Sequence, residues 1–98
     1  MSRVRSARDI NSALSKKGFR VEKDGDHIRY YFLDAHGEET GIKTKISHGS
    51  LGATVSSKLI SLMAKQLHLT KKQVLGLIDC TMTEKEYRET LRGKSIAV

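Results

Sequence analysis

Two histidines of this chain lie where acid–base chemistry could take place. His27 follows the Asp24-Gly25 turn signal and begins the run HIRYYFLD, and His48 follows the run TGIKTKIS. Histidine suits both proton donation and proton acceptance because its unperturbed pKa is about 6.5. Metal-independent RNA cleavage needs both roles, a base for the 2′-hydroxyl and an acid for the leaving 5′-oxygen. We therefore take His27 as the main catalytic candidate and His48 as its partner.

Three strands must position these histidines. The runs that predict strands are FRVEK (19–23), HIRYYFLD (27–34) and TGIKTKIS (40–47). The first alternates apolar and polar residues, which places Phe19 and Val21 inward. Asp24-Gly25 is a hairpin turn signal, and residues 35–38 form a second turn. The pattern predicts a three-stranded antiparallel meander.

The pairing of the second and third strands decides which residues share a face. A two-residue turn at His36-Gly37 would put Ile42 and Ile46 on the face of His27. A shift by one residue pairs Ile28 with Ile46, Tyr30 with Thr44 and Phe32 with Ile42. One face is then apolar throughout, so burial favours this second register. It implies a three-residue loop with Gly37 near the left-handed conformation.

The other face of this hairpin is polar and basic. His27 lies opposite Ser47, with Cβ atoms about 5 Å apart, and Arg29 lies opposite Lys45. Like charges directly across an antiparallel pair repel each other, and either a bound polyanion or splaying of the side chains into water would relieve this. Nearby cations could also stabilise the extra phosphate charge of a cleavage reaction. The candidate nucleic-acid-binding residues are Arg20, Lys23, Arg29, Tyr31, Lys43 and Lys45.

Helices are expected before and after the strands. Ser6 with Asp9 resembles a capping box for a first helix over 6–17, and Gly18 suits its C-terminal end. A second helix is expected over 55–67, after a glycine-containing loop. Capping boxes at Thr70 with Gln73 and at Thr83 with Glu86 predict two shorter helices, which end near Asp79 and Arg92.

These elements predict a single α+β domain. Its order is α-β-β-β-α, a three-stranded antiparallel sheet packed on helices, followed by two short C-terminal helices. We place the core at about residues 6–69, a helical extension at 70–92 and a loose tail at 93–98.

Composition narrows the classes of function. The 98 residues carry 18 Lys and Arg against 11 Asp and Glu, a net charge of +7, which favours polyanions or an acidic protein as partners. Cys80 is the only cysteine, and we expect it to be a buried small hydrophobe in a cytoplasmic, reducing setting. No apolar run approaches the roughly 20 residues of a membrane span. Zinc-ligand spacings and phosphate-binding glycine motifs are missing, so we expect no metal or other cofactor.

Two stretches resemble a known family. INSALSKKGFRVEKDGDHIRYYF resembles the start of the HicA-like (YcfA-like) toxins, with a short helix, Lys-Lys-Gly-Phe, a strand and a Gly-x-His step. SKLISLMAKQLHL (57–69) resembles the family's second helix. The resemblance implies a double-stranded-RNA-binding-like fold, messenger-RNA endoribonuclease activity and a neutralising antitoxin partner. It also implies that the histidine of the Gly-x-His step, His27, does the chemistry.

Two functions without chemistry fit the same basic face. One is a module that binds structured RNA or DNA, for which salt-sensitive binding and no cleavage are expected. The other is a protein-interaction domain whose basic face meets an acidic partner, such as an antitoxin. The residues themselves leave these alternatives open beside the endoribonuclease.

Overall fold

The computed structural model describes residues 6–47, 55–96 and 98. Along this part the order is α-β-β-β-α-α-α, which confirms the expected α+β fold. The elements are α1 Ala7–Ser15, β1 Phe19–Asp24, β2 His27–Leu33, β3 Glu39–Ser47, α2 Ser57–Leu67, α3 Lys71–Ile78 and α4 Glu84–Gly93. None of the helices in the described ranges has the length and apolar character needed to cross a membrane.

Side-chain caps fix where the helices begin. The Ser6 hydroxyl accepts a hydrogen bond from the Asp9 N–H at 3.2 Å, and the Asp9 carboxylate accepts one from the Ser6 N–H at 2.9 Å. The same reciprocal pairs begin α3 and α4, as expected, with Thr70 and Gln73 in one and Thr83 and Glu86 in the other. Each pair satisfies backbone donors that the first helical turn leaves without partners.

The β2–β3 register is the one that burial favours, except near the turn. Ile28 pairs with Ile46, Arg29 with Lys45 and Tyr30 with Thr44. The expected pair of Phe32 with Ile42 is replaced by a bulge, because β3 advances from Lys43 to Glu39 while β2 advances only from Tyr31 to Leu33. Gly41 adopts a φ of +87° inside this bulge. β3 thus has two more residues than β2 across the bulge. Because two is an even number, the same side chains still face the same side of the sheet.

The β2–β3 loop has the expected length. The Asp34 N–H donates to the Glu38 carbonyl at 2.7 Å, which leaves residues 35–37 as the loop. Gly37 has a φ of +82°, the left-handed conformation that the register required.

One side of the sheet packs on the helices. Ile28, Tyr30 and Phe32 of β2 are fully buried there. The Tyr87 ring of α4 lies 4.8 Å from the Phe32 ring, and the Tyr87 hydroxyl donates to the Leu67 carbonyl at 3.0 Å. Val74, Leu77 and Leu91 of the two last helices are also fully buried in the same cluster. Residues after 70 therefore complete the core that the sheet begins.

Cys80 differs from its expected environment. Its side chain is exposed, and its backbone adopts a φ of +63° in the connection between α3 and α4. Asp79 caps the end of α3, and Cys80 follows it in the left-handed conformation outside the helix. The expectation of a buried cysteine was wrong because this conformation is a property of the helix connection and not of the residue type.

Candidate nucleic-acid interface

The face of the sheet that points away from the helices carries most of the candidate residues, and we call it the outer face. Along β2, burial alternates, with Ile28, Tyr30 and Phe32 buried and the residues between them half-buried. Cross-strand partners share a face, so the pairing assigns the other members. The outer face comprises Arg20, Glu22, His27, Arg29, Tyr31, Leu33, Lys43 and Lys45.

A cationic cleft is lined by side chains of β2, β3 and α2. It has a volume of about 190 Å³, and its lining residues are Arg29, Tyr31, Lys43, Thr44, Lys45 and Gln66. Gln66 comes from α2, and its side-chain oxygen accepts a hydrogen bond from the Thr44 hydroxyl at 2.6 Å. This bond holds α2 against β3 at one side of the cleft. Three cationic side chains thus surround one concavity, which focuses a positive potential there.

The cleft contains the like-charge pair that the register predicted. Arg29 lies directly opposite Lys45, and Tyr31 lies directly opposite Lys43. Such a charge pair opposes folding, by roughly 0.2–1 kcal/mol in an antiparallel sheet. An anion between the two side chains would relieve this repulsion.

Arg20 is engaged within the protein. Its guanidinium forms ion pairs with Glu22 and with Glu39, both at 2.8 Å, and these hydrogen bonds raise the Arg20 pKa above its ordinary value. The same guanidinium lies over the Tyr31 ring, 4.5 Å from the ring centroid. The two carboxylates compensate the charge of Arg20. In the structure Arg20 contacts Tyr31, and its expected contact with nucleic acid stays a prediction.

Lys23 lies apart from the other cations. It pairs with Ile28, so it is on the helix-facing side of the sheet, exposed at the end of β1. The alternation that placed Phe19 and Val21 inward also assigns Lys23 to this side. Lys23 therefore does not share the face of Arg29 and Lys45.

His27 lies at the end of the outer face. It pairs with Asp24 of β1 and with Ser47 of β3, and its side chain is half-buried on the same face as Arg29 and Tyr31. The pairing with Ser47 is the one that the register predicted. His48 lies outside the described residues, so its expected approach to His27 stays a prediction.

The other histidines have structural surroundings. His36 is exposed in the β2–β3 loop, where its backbone N–H and that of Glu38 donate to the Asp34 carboxylate. These two bonds, the one from Glu38 first, hold the pKa of Asp34 below its usual value. His68 ends α2 with a left-handed φ of +60° and is exposed. Over residues 6–47, 55–96 and 98, no group of three or more His, Cys, Asp or Glu side chains could hold a metal ion.

Three residues around the cleft were not anticipated. Glu22 is two positions from Arg20 on a strand, so alternation alone could have placed it on the outer face. Glu39 reaches Arg20 only because of the bulge in β3, and a bulge has no reliable sequence signal. The position of Gln66 at the cleft depends on the packing of α2 against β3, which is a tertiary contact and has no local sequence signal.

No family model, curated protein or solved structure matches this chain. The likeness to HicA-like toxins therefore rests on the quoted motifs alone. The geometry of the outer face has to carry the functional argument.

Proposed function

We propose that this protein binds RNA through the outer face, with the phosphates in the cationic cleft. The observation that carries the proposal is the β2–β3 register, which gathers Arg29, Lys43 and Lys45 beside Tyr31 around one concavity. Cations that face each other repel, and a polyanion turns that repulsion into attraction. Binding also releases counterions from the nucleic acid, which adds a salt-dependent driving force.

Charge reversal within the cleft tests this proposal. The Lys43→Glu/Lys45→Glu variant should bind a short fluorescein-labelled single-stranded RNA at least about tenfold more weakly than the wild type, as read by fluorescence anisotropy in chelator. The slope of log affinity against log salt should fall by roughly 0.7 for each phosphate that the variant no longer neutralises.

A matched control separates the site from the overall charge. Lys71→Glu/Lys72→Glu makes the same change in net charge at two exposed positions in the first turn of α3, where acidic residues suit the helix dipole. This variant should retain most of the affinity. If both double variants lose affinity equally, the outer face is not the binding site.

Metal-independent cleavage of the bound RNA is the second candidate, and the position of His27 on the outer face favours it. We expect the wild type to cleave single-stranded RNA in chelator, and His27→Ala to bind RNA while no longer cleaving it. Growth after induction of each protein gives a cellular reading of the same comparison. Equal cleavage by both proteins would contradict the role of His27, and the lack of cleavage by the wild type would leave an RNA-binding protein.

An acidic protein partner, such as the antitoxin that the resemblance implies, would use the same cations. We expect such a partner to compete with RNA for Lys43 and Lys45. A partner protein that still binds the Lys43→Glu/Lys45→Glu variant would therefore contact another surface.

A further inference from the structure

We propose that Tyr31 stacks on an unpaired base, so that the ligand of the outer face is single-stranded RNA and not a duplex. This inference rests on the proposed RNA binding and adds the class of RNA and the residue that selects it. It follows from the contact of Arg20 with the Tyr31 ring and from the position of Tyr31 in the lining of the cleft.

The Tyr31 ring has a cation over it, and Tyr31 also lines the cleft. Arg20 is the β1 partner of Tyr31, and its guanidinium carbon lies 4.5 Å from the ring centroid. Lys43 is the β3 partner of Tyr31, and both residues line the cleft. A flat group that enters the cleft therefore meets an aromatic side chain that Arg20 already contacts.

Arg20 is held in place before any ligand arrives. Glu22 of β1 and Glu39 of β3 each accept a hydrogen bond from its guanidinium at 2.8 Å. A guanidinium fixed in this way restricts the Tyr31 ring through the cation–π contact. A ring that is already ordered loses less conformational entropy when a base stacks on it.

The charges around the Tyr31 ring favour one placement of the RNA phosphates. The carboxylates of Glu22 and Glu39 bind Arg20 and repel phosphates, whereas Lys43 and Lys45 line the cleft and attract them. Alternate residues of a strand are about 6.8 Å apart, a spacing comparable to that of successive phosphates in an extended single strand. The RNA backbone then follows β3 from Lys43 to Lys45, and a base turns inward to Tyr31.

A duplex cannot satisfy this arrangement. Its bases are paired and stacked on each other, so no base face is available to an aromatic side chain. Single strands offer a base face at every nucleotide, and such stacking tolerates any base sequence. We therefore expect binding without strong sequence preference.

The test compares Tyr31→Leu with Tyr31→Phe. The probes are a single-stranded oligoribonucleotide that contains 2-aminopurine and the same strand annealed to its complement, both in chelator. Tyr31→Leu should bind the single strand about 5- to 100-fold more weakly, and Tyr31→Phe should stay within about twofold of the wild type. Stacking should quench 2-aminopurine fluorescence with the wild type and Tyr31→Phe but not with Tyr31→Leu.

The outcomes separate this inference from the proposed function. If Tyr31→Leu binds the single strand like the wild type, or if the wild type prefers the duplex, base stacking on Tyr31 is wrong even when Lys43→Glu/Lys45→Glu abolishes binding. If neither RNA binds the wild type, the proposed function itself fails. Circular dichroism melting shows whether Tyr31→Leu folds. If it does not fold, 2-aminopurine quenching by the wild type tests whether a base stacks on the protein, and no quenching would contradict the inference.

Discussion

The Lys17 ammonium donates a hydrogen bond at 2.6 Å to the carbonyl of Leu77, 60 positions further along the chain. It donates a second one at 2.7 Å to the Met82 carbonyl, and its side chain is buried. Leu77 lies in the last turn of α3, where carbonyls have no intrahelical partner. Lys17 thus fastens the end of α1 to the connection between α3 and α4, and it joins the N-terminal half of the domain to the C-terminal helices.

Loss of this ammonium should destabilise the protein. We expect Lys17→Met to lower the free energy of unfolding by about 1–3 kcal/mol, because a buried and a partly buried carbonyl lose a charged donor while the apolar stem is retained. Urea denaturation measures the change. Lys16→Met, at the exposed neighbouring position, should change stability by less than about 0.5 kcal/mol. Equal effects of both substitutions would mean that the two carbonyls find other donors.

A comparison of Gly18 with Gly37 distinguishes the cost of backbone strain from the cost of steric conflict. Gly18 and Gly37 have nearly the same φ, +84° and +82°, but only at Gly18 would a Cβ meet side-chain atoms, those of Arg88 and Glu84 at 2.9 Å. Gly37→Ala should therefore cost about 1–2 kcal/mol from the left-handed conformation alone. Gly18→Ala should cost about 1 kcal/mol more, because it also disturbs the ion pair of Arg88 and the contact of Arg88 with Phe32.

Thermal melting of the two glycine variants measures this difference. A Gly37→Ala variant as unstable as Gly18→Ala would show that the conflict at Gly18 is relieved by small movements of Arg88 and Glu84. The conformational strain would then account for both effects.

Stability should fall in alkaline solution through the buried tyrosines. Burial raises the pKa of Tyr30 to about 12 and raises that of Tyr87 as well. The unfolded chain releases these protons near pH 10, so from about pH 10 to pH 12 the unfolded state holds fewer protons and is favoured. The stability that the two buried tyrosines contribute is fully present below about pH 10, and it is lost as the pH rises through their pKa values in the folded protein.

Urea midpoints measured across this pH range test the alkaline effect. Tyr30→Phe removes one of the groups, so its midpoint should fall less steeply with pH than that of the wild type. At neutral pH the variant should be less stable by about 1 kcal/mol, because the Tyr30 hydroxyl donates to the Asn11 side chain at 2.7 Å. Parallel pH dependences would show that Tyr30 does not contribute.

The cationic cleft should oppose stability in the absence of ligand. Lys45→Glu places a carboxylate opposite Arg29, so it should raise the free energy of unfolding by about 0.2–1 kcal/mol at low salt while it weakens RNA binding. The gain should disappear at high salt, because exposed charges are screened. Denaturation at low and high salt measures both points, and a loss of stability at low salt would contradict the repulsion between Arg29 and Lys45.

Local signals in the sequence determined much of this fold. Reciprocal pairs such as Thr70 with Gln73 predicted helix starts, since a cap involves only residues three positions apart. The β2–β3 register followed from the alternation of apolar and polar residues along the strands, because a one-residue slip would have exposed Ile28 and Ile46 to solvent. The same alternation predicted that His27, Arg29 and Lys45 share one face, as they do.

Only the tertiary structure decided the rest. Ion pairing of Arg20 with Glu39 depends on a bulge, burial of Lys17 depends on a helix connection 60 positions away, and the closure of the cleft by Gln66 depends on the packing of α2. Each of these contacts joins residues far apart in sequence, so no window of the chain contains both partners. The sequence by itself therefore determined which residues face outward, whereas long-range packing determined which other side chains they contact.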